Sequence, residues 1–250
     1  MTAKNGVLFG LMVMTIGTWL VGCYASVLFG QTGLDPALSL TAKLPPDVHP
    51  DTLSRAVRTQ KDDLTTDGEK EAFDRMSGVS PSQPVSKWLG PTGTRLQIPE
   101  LAETYSTQLK LLHSKGTLGD KYYELVIAVA MRETNNKEEW LNHEAIRAKL
   151  LSPRIEEVLR SNLPTTGLDE KDAMIIQYGR ELFRDPKVSS ETFAAMQRLL
   201  GSKNTLVATL TMAYYDVNGL LIRAYDQRMD TSPTCTGNGC LSERNIHNAW

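Results

Sequence analysis

Cysteine is scarce in this chain, which has three among its 250 residues. Cys23 stands alone near the N-terminus, while Cys235 and Cys240 flank a short loop near the C-terminus. So few cysteines exclude a disulfide-dense scaffold, and His247 alone beside the C-terminal pair is too little for a zinc site. Cys235 and Cys240 are spaced to form a small disulfide in an oxidising compartment, and a redox pair is the alternative.

An excess of positive charge is also absent. The formal net charge is −2, and no basic patch with interleaved aromatic residues occurs, so the sequence does not predict nucleic-acid binding. The alternation of apolar and polar residues that is typical of strands is missing too. Apolar residues make up 41% of the chain and charged residues 22%, which is enough for a proper core. The length fits one domain with extensions or two small domains.

Charge of either sign is missing from residues 6–30, which as a helix would extend about 38 Å and span a bilayer. Three interpretations compete for residues 1–30. They fit a single membrane anchor, or a cleaved signal peptide with an apolar region at 7–21 and a cleavage site at 23–25. They also fit a lipoprotein signal, because residues 20–23 resemble a lipobox that ends at Cys23.

The orientation of that segment favours export. Lys4 precedes the apolar run, and no cluster of Lys or Arg follows it directly, so the N-terminus is predicted inside and the remainder outside. The protein is therefore expected to be extracellular, periplasmic or membrane-anchored.

The rest of the chain divides into three parts. Residues 31–66 are rich in Pro, Asp and Thr and are predicted to form a tether with one short helix at 51–59. Residues 67–228 are predicted to form an all-α domain, and residues 229–250 a tail that carries two cysteines. The segment 77–94 is predicted as a loop because it is dense in Gly, Pro and Ser. Helices are predicted at 67–76, 99–114, 119–133, 137–151, 153–160, 169–184, 190–200 and 204–228.

Glu124 begins the strongly apolar helix predicted at 119–133. Residues 125–131 are apolar on every side, which indicates a buried, central helix. A carboxyl group buried there without a partner is a candidate proton donor or acceptor. The alternative is that Glu124 lies near the helix N-terminus, where a carboxylate complements the helix dipole and stays ionised.

The next predicted helix carries Glu139, His143 and Arg147 at i, i+4 and i+8, which places them along one face. A carboxylate one turn before an imidazole can fix its tautomer, which is a useful setting for a general acid or base. The alternative is a surface stripe of ion pairs, each worth about 0.3–0.5 kcal/mol. Trp140 beside this stripe favours packing or a pocket over full exposure.

The same residues resemble the carboxymuconolactone decarboxylase/alkylhydroperoxidase-D-like family, whose general pattern residues 67–226 follow. The matching residues are Tyr123-Glu124-Leu125, Arg132-Glu133, Glu139-Trp140 and His143. The resemblance implies an alkylhydroperoxidase-D-like helical bundle that assembles as a homo-oligomer. It also implies that Glu124 and His143 act as acid and base.

One departure decides between the branches of that family. The peroxidase branch has a Cys-x-x-Cys arrangement before the histidine, and here those positions are Asn136 and Glu139. A thiol peroxidase needs an attacking and a resolving thiol, and the predicted domain has neither. The resemblance therefore implies the decarboxylase branch, which processes a small lactone acid without a metal or cofactor.

In that interpretation His143 is the general acid or base, Glu139 orients it and Glu124 is a second acid. Arg132 and Arg147 are candidates for pairing with a substrate carboxylate, although ion pairs with Glu133 and Glu144 would occupy them equally well. Trp140 is the candidate pocket wall.

Tyr215 is a polar group within an apolar pattern, and its hydroxyl is expected to cap the pocket or bond to His143, or simply to be satisfied within the core. Two further functions stay open: peroxide reduction through Cys235 and Cys240, and a non-catalytic oligomeric binding module on the same scaffold.

Overall fold

The computed structural model describes residues 44–77 and 89–228. These residues form helices without a named strand, apart from one isolated bridge between His49 and Ser54, so the all-α prediction is confirmed. The helices of the described residues are α1 (Asp67–Ser77), α2 (Gly90–Arg95), α3 (Pro99–Lys115), α4 (Asp120–Glu133), α5 (Lys137–Asn142), α6 (Glu144–Leu150), α7 (Pro153–Arg160), α8 (Glu170–Arg184) and α9 (Ser190–Ala224).

Helix α4 is the centre of the fold. Every side chain from Glu124 to Met131 is buried, which is more than two full turns, so no face of this part of the helix is left to solvent. Helix α4 packs against α8 and α9 and also contacts α5, α6 and α7. The apolar run predicted this burial correctly. Each large apolar side chain buried in this way stabilises the fold by about 1.5–3 kcal/mol relative to exposure.

Gly179 allows α8 to approach α4 and α9 closely. A β-carbon at this position would lie 2.2 Å from Cγ1 of Val129 and 3.1 Å from Cε of Met212. The first distance is far inside van der Waals contact, so any larger residue would push the helices apart. The close packing of α8 on the central helix therefore depends on glycine at position 179.

The predicted helices at 190–200 and 204–228 are both present within α9, and the regular helix is interrupted between them at Gly201. The backbone there has φ +80° and ψ 161°, a conformation that glycine adopts without steric cost. Ser189 caps the first part by accepting a hydrogen bond from the amide of Thr192, and Ser152 caps α7 in the same way.

The tether prediction is wrong for residues 44–64. No helix occupies 51–59, where the chain instead forms turns and bends. The amide of Arg55 donates to the carbonyl of Tyr225 at 2.7 Å, and the amide of Arg228 donates to the carbonyl of Leu53 at 2.8 Å, so this segment is bonded to the end of α9. Its buried apolar side chains are Val48, Leu53, Ala56 and Leu64. The polar composition of the segment does not reveal this packing, because the residues that bond to its backbone lie far along the chain.

The loop predicted at 77–94 is wrong where α2 forms. Leu89 precedes this helix and Pro91 stands in its first turn, where the missing N–H of proline costs no hydrogen bond. Helix α2 contacts α3 and α9. It therefore carries its last residue, Arg95, into the interior of the domain.

The predicted signal or anchor at 1–30, the lipobox cysteine Cys23 and the C-terminal pair Cys235 and Cys240 lie outside the described residues. Within the two described ranges, no helix combines the length and apolar composition needed to cross a membrane.

Candidate active site around His143

His143 lies at the junction of two short helices. The predicted continuous helix at 137–151 is wrong here, because α5 ends at Asn142 and α6 begins at Glu144. The backbone of His143 (φ −89°, ψ 0°) departs from helical values, although its carbonyl still accepts from the amides of Ile146 and Arg147. Its side chain is 14% exposed. The imidazole is therefore held inside the domain at an interruption of the chain's regular structure.

Glu124 is the closest charged neighbour of this imidazole. Nδ1 of His143 lies 3.1 Å and 3.2 Å from the two carboxylate oxygens of Glu124. The Glu124 side chain is 5% exposed, so the contact is largely shielded from water. An ionised carboxylate accepts hydrogen bonds only, which makes Nδ1 the donor and fixes the orientation of the ring. Nε2 is then the nitrogen left for exchanging a proton with another group.

Tyr215 faces that second nitrogen. Its hydroxyl lies 3.4 Å from Nε2 of His143, and the two rings meet edge to face with centroids 5.5 Å apart. Burial, together with the nearby charge of Glu139, raises the pKa of Tyr215 well above its ordinary value. The hydroxyl is therefore protonated at neutral pH and is available as a donor.

Glu139 is farther from the imidazole than Glu124 is. Its nearer oxygen lies 3.9 Å from Nε2 of His143, which is too long for a hydrogen bond, and its other oxygen accepts from Nδ2 of Asn218 at 3.4 Å. Oδ1 of Asn218 in turn accepts from the guanidinium of Arg95 at 2.7 Å. A chain of polar contacts therefore leads from His143 through Glu139 and Asn218 to Arg95.

Arg147 and Trp140 form a separate cluster. Nε of Arg147 lies 2.9 Å from Glu156, its Nη1 donates to the carbonyl of Trp140, and its guanidinium carbon lies 3.7 Å from the centre of the Trp140 ring. Burial lowers the pKa of Arg147 and the charge of Glu156 opposes that shift. The predicted row of Glu139, His143 and Arg147 along one helix face does not form, because the helix is interrupted at the histidine. Arg147 is therefore engaged by the protein itself.

Arg132 likewise points to a partner away from His143. Its Nε donates to the carbonyl of Leu159, at the end of α7, at 3.0 Å. Glu133, its neighbour in sequence, pairs with Arg184 at 2.6 Å. Of the predicted site residues, the structure gathers Glu124, Glu139 and Tyr215 around His143, and it engages Arg132, Arg147 and Trp140 in other contacts.

Sequence reasoning missed Arg95 as a residue of the network and marked Asn218 only as a polar group within an apolar pattern. Arg95 directly follows the stretch predicted as a loop, and no periodicity marks it as buried. Asn218 is a polar residue in the apolar pattern of α9, which is a weak signal because a buried asparagine also satisfies ordinary core contacts. Their place in the network can be recognised only from the packing of α2 against α9.

In the described part of the chain, no cluster of three or more His, Cys, Asp or Glu side chains is arranged to hold a metal ion. The arrangement around His143 suits proton transfer, because one ring nitrogen is fixed by a buried carboxylate and the other faces a neutral hydroxyl. No protein-family model matches the sequence, and searches of curated proteins and of solved structures found no match.

Proposed function

We propose that this protein is an exported enzyme of the carboxymuconolactone decarboxylase-like kind, in which His143 transfers a proton on a small carboxylate or lactone substrate. The observation that supports it is the contact of Nδ1 of His143 with both oxygens of Glu124. A general acid or base must hold one tautomer and present the other nitrogen to the reacting group, and this contact does both.

Each residue has a defined part in the proposed reaction. Nε2 of His143 removes a proton from the substrate or returns one to it. Glu124 orients the ring and stabilises the imidazolium once the proton has moved. Tyr215 donates to oxygen that gains negative charge, because its hydroxyl is protonated and faces Nε2. Glu139 is close enough to stabilise the imidazolium at longer range.

The wider features of the proposal accompany this chemistry. The described helices belong to an alkylhydroperoxidase-D-like bundle that assembles as a homo-oligomer. Residues 1–30 act as a signal peptide or membrane anchor, and Cys235 and Cys240 form a disulfide in the exported tail.

The substitution His143→Gln tests the proposal. We expect it to lower the turnover of carboxymuconolactone and related lactone acids by about 100-fold or more, while the helical circular dichroism stays unchanged. His113→Gln is the matched control, because the His113 side chain is 61% exposed, meets the Tyr123 ring edge to face and lies 4.0 Å from Asp120. Turnover retained by His143→Gln would reject the role given to His143.

A non-catalytic binding module is the second candidate, and the low exposure of the site favours it. The side chains of Glu124, Glu139 and His143 are 5%, 11% and 14% exposed. The rate at which diethyl pyrocarbonate modifies His143, measured against His113 by mass spectrometry, separates the two functions. An enzyme needs a solvent path to the ring, so His143 must react, and an inert His143 supports the binding module.

A further inference from the structure

Arg95 is a buried cation at the end of α2. Its residue is 6% exposed, and within the described ranges no Asp or Glu forms an ion pair with it. Its hydrogen bond in the structure goes to the neutral Oδ1 of Asn218. A charge removed from water is costly unless it is paired, so this arrangement calls for an explanation.

The hydrogen bonds of Arg95 differ from those of Arg147, which has a structural role in this fold. Arg147 is also buried, yet its guanidinium is bonded to the Glu156 carboxylate and to a backbone carbonyl. Arg95 has the same five N–H donors and directs one nitrogen to a protein acceptor. The remaining donors of its planar fork match the geometry of a carboxylate.

Asn218 links Arg95 to Glu139, one of the carboxylates near His143. It accepts from Arg95 at 2.7 Å with its oxygen and donates to Glu139 at 3.4 Å with its nitrogen. The two charges are thereby linked through a neutral amide instead of neutralising each other directly. The same amide connects Arg95 to the carboxylate that lies 3.9 Å from His143.

Two aromatic rings hold the guanidinium in place. Its central carbon lies 4.2 Å from the ring centre of Tyr105 and 5.7 Å from that of Tyr214. Such faces attract a cation and restrict its orientation without using its N–H donors. Arg95 is therefore positioned in advance while its capacity to bind an anion is preserved.

We propose that Arg95 binds the carboxylate of a small anionic ligand at the His143 site, and that Asn218 positions it for this role. The proposal rests on the proposed function and extends it, because it transfers substrate recognition from the predicted Arg132 and Arg147 to a residue on α2.

Calorimetric titration of the full chain with succinate and with its neutral isostere succinamide tests the proposal. The wild-type protein is expected to bind succinate at least about tenfold more tightly than succinamide, because a charged bidentate contact is lost with the amide. This comparison does not depend on the folding of any variant. Equal affinity for the two compounds, or no binding of succinate, would overturn the proposal.

Three variants assign the effect to Arg95. Arg95→Met should weaken succinate binding at least about tenfold. Arg75→Met is the matched control, because Arg75 is exposed and paired with Glu103, and it should leave the affinity unchanged. Arg95→Lys should restore only part of the affinity, because lysine keeps the charge but lacks the planar fork of donors. An Arg95→Met protein that binds succinate as the wild type does would overturn this inference alone, whereas turnover retained by His143→Gln would overturn the proposed function alone.

Discussion

The imidazole of His143 and the carboxylate of Glu124 lie 3.1 Å apart although they belong to different helices and are separated by 19 positions in the sequence. Glu124 belongs to the buried central helix α4, while His143 lies between the end of α5 and the beginning of α6. The sequence had paired His143 with Glu139, one turn before it. The structure gives the closer contact to the carboxylate of the central helix, and the first prediction depends on it.

The neutral imidazole of His143 should carry its proton on Nδ1. The Glu124 carboxylate accepts hydrogen bonds only, so it selects this tautomer. Nitrogen-15 NMR of the two ring nitrogens measures it directly. Glu124→Gln should give a mixture of tautomers and lower the turnover about tenfold or more, because an amide can either donate or accept.

The control for that change is Glu144→Gln. Glu144 directly follows the histidine but has no hydrogen bond or ion pair to its ring in the structure, so this variant should keep the wild-type tautomer. A predominantly Nε2-protonated ring in the wild-type protein would contradict the role given to Glu124.

Arg147→Met should destabilise the fold strongly. The change removes the hydrogen bonds of Arg147 to Glu156 and to the carbonyl of Trp140, together with its packing on the Trp140 ring, while Glu156 keeps Arg160 at 3.9 Å. We expect the free energy of unfolding to fall by about 2–3 kcal/mol. Denaturation by urea at pH 7 measures this loss. Arg154→Met is the matched control, because its pair with Glu157 is exposed and should cost less than about 1 kcal/mol. Similar losses in the two variants would show that the Arg147 cluster is no more than a surface pair.

Gly179→Ala should destabilise the contact of α8 with α4. The new β-carbon would lie 2.2 Å from Cγ1 of Val129, and overpacking of this kind costs about 1–3 kcal/mol. Adding Val129→Ala should make the double variant lose less than the sum of the single losses, because the smaller side chain removes the clash. Unfolding in urea measures all three proteins.

Gly68→Ala should have the opposite effect on the stability of the protein. Gly68 lies in α1, and a β-carbon there would meet nothing closer than 3.8 Å, so alanine should stabilise the protein by about 0.5–1 kcal/mol. If alanine at 179 were tolerated equally well, the close approach of α8 would not be a constraint on this fold.

The stability of the fold below pH 4.5 should depend on Glu181, which joins the end of α8 to the beginning of α9. A hydrogen bond from Thr192, with others from Gln177 and Ser189, lowers the pKa of Glu181 to about 2. Because the folded pKa lies below the unfolded value, this carboxylate contributes stability above pH 4.5. The contribution is lost progressively as the pH falls towards 2.

Thr192→Val removes the largest of these effects and should move the pKa of Glu181 towards its ordinary value. The variant is expected to be less stable than wild type at pH 7 and to lose less stability on acidification. Carbon-13 NMR of the carboxyl group and urea denaturation from pH 2 to 7 measure the two effects. Thr104→Val is the control, since its exposed hydroxyl bonds only to the carbonyl of Glu100. An unchanged Glu181 titration in Thr192→Val would contradict this account.

Local sequence signals located most of the helices correctly. The apolar run of α4, the Ser152-Pro153 start of α7 and the acidic first turn of α1 act over a few residues, so they can be read without knowledge of the fold. Residues 44–64 and α2 were misjudged because Pro, Gly and Asp resemble a free linker. Residues 44–64 are ordered by backbone bonds of Arg55 to Tyr225 and of Leu53 to Arg228, and α2 is ordered by its contacts with α9, all across long sequence separations.

By itself, the sequence determined that the chain is helical and that α4 is buried, and it singled out His143 and Glu124 as candidate residues. Helix period, caps and apolar runs depend on neighbouring residues, so these features are local. Only the tertiary structure decided that Glu124 rather than Glu139 meets Nδ1, that Arg147 belongs to Trp140 and Glu156, and that Arg95 enters the network. The residues in each of these contacts come from different parts of the chain. They become neighbours only when the helices pack together.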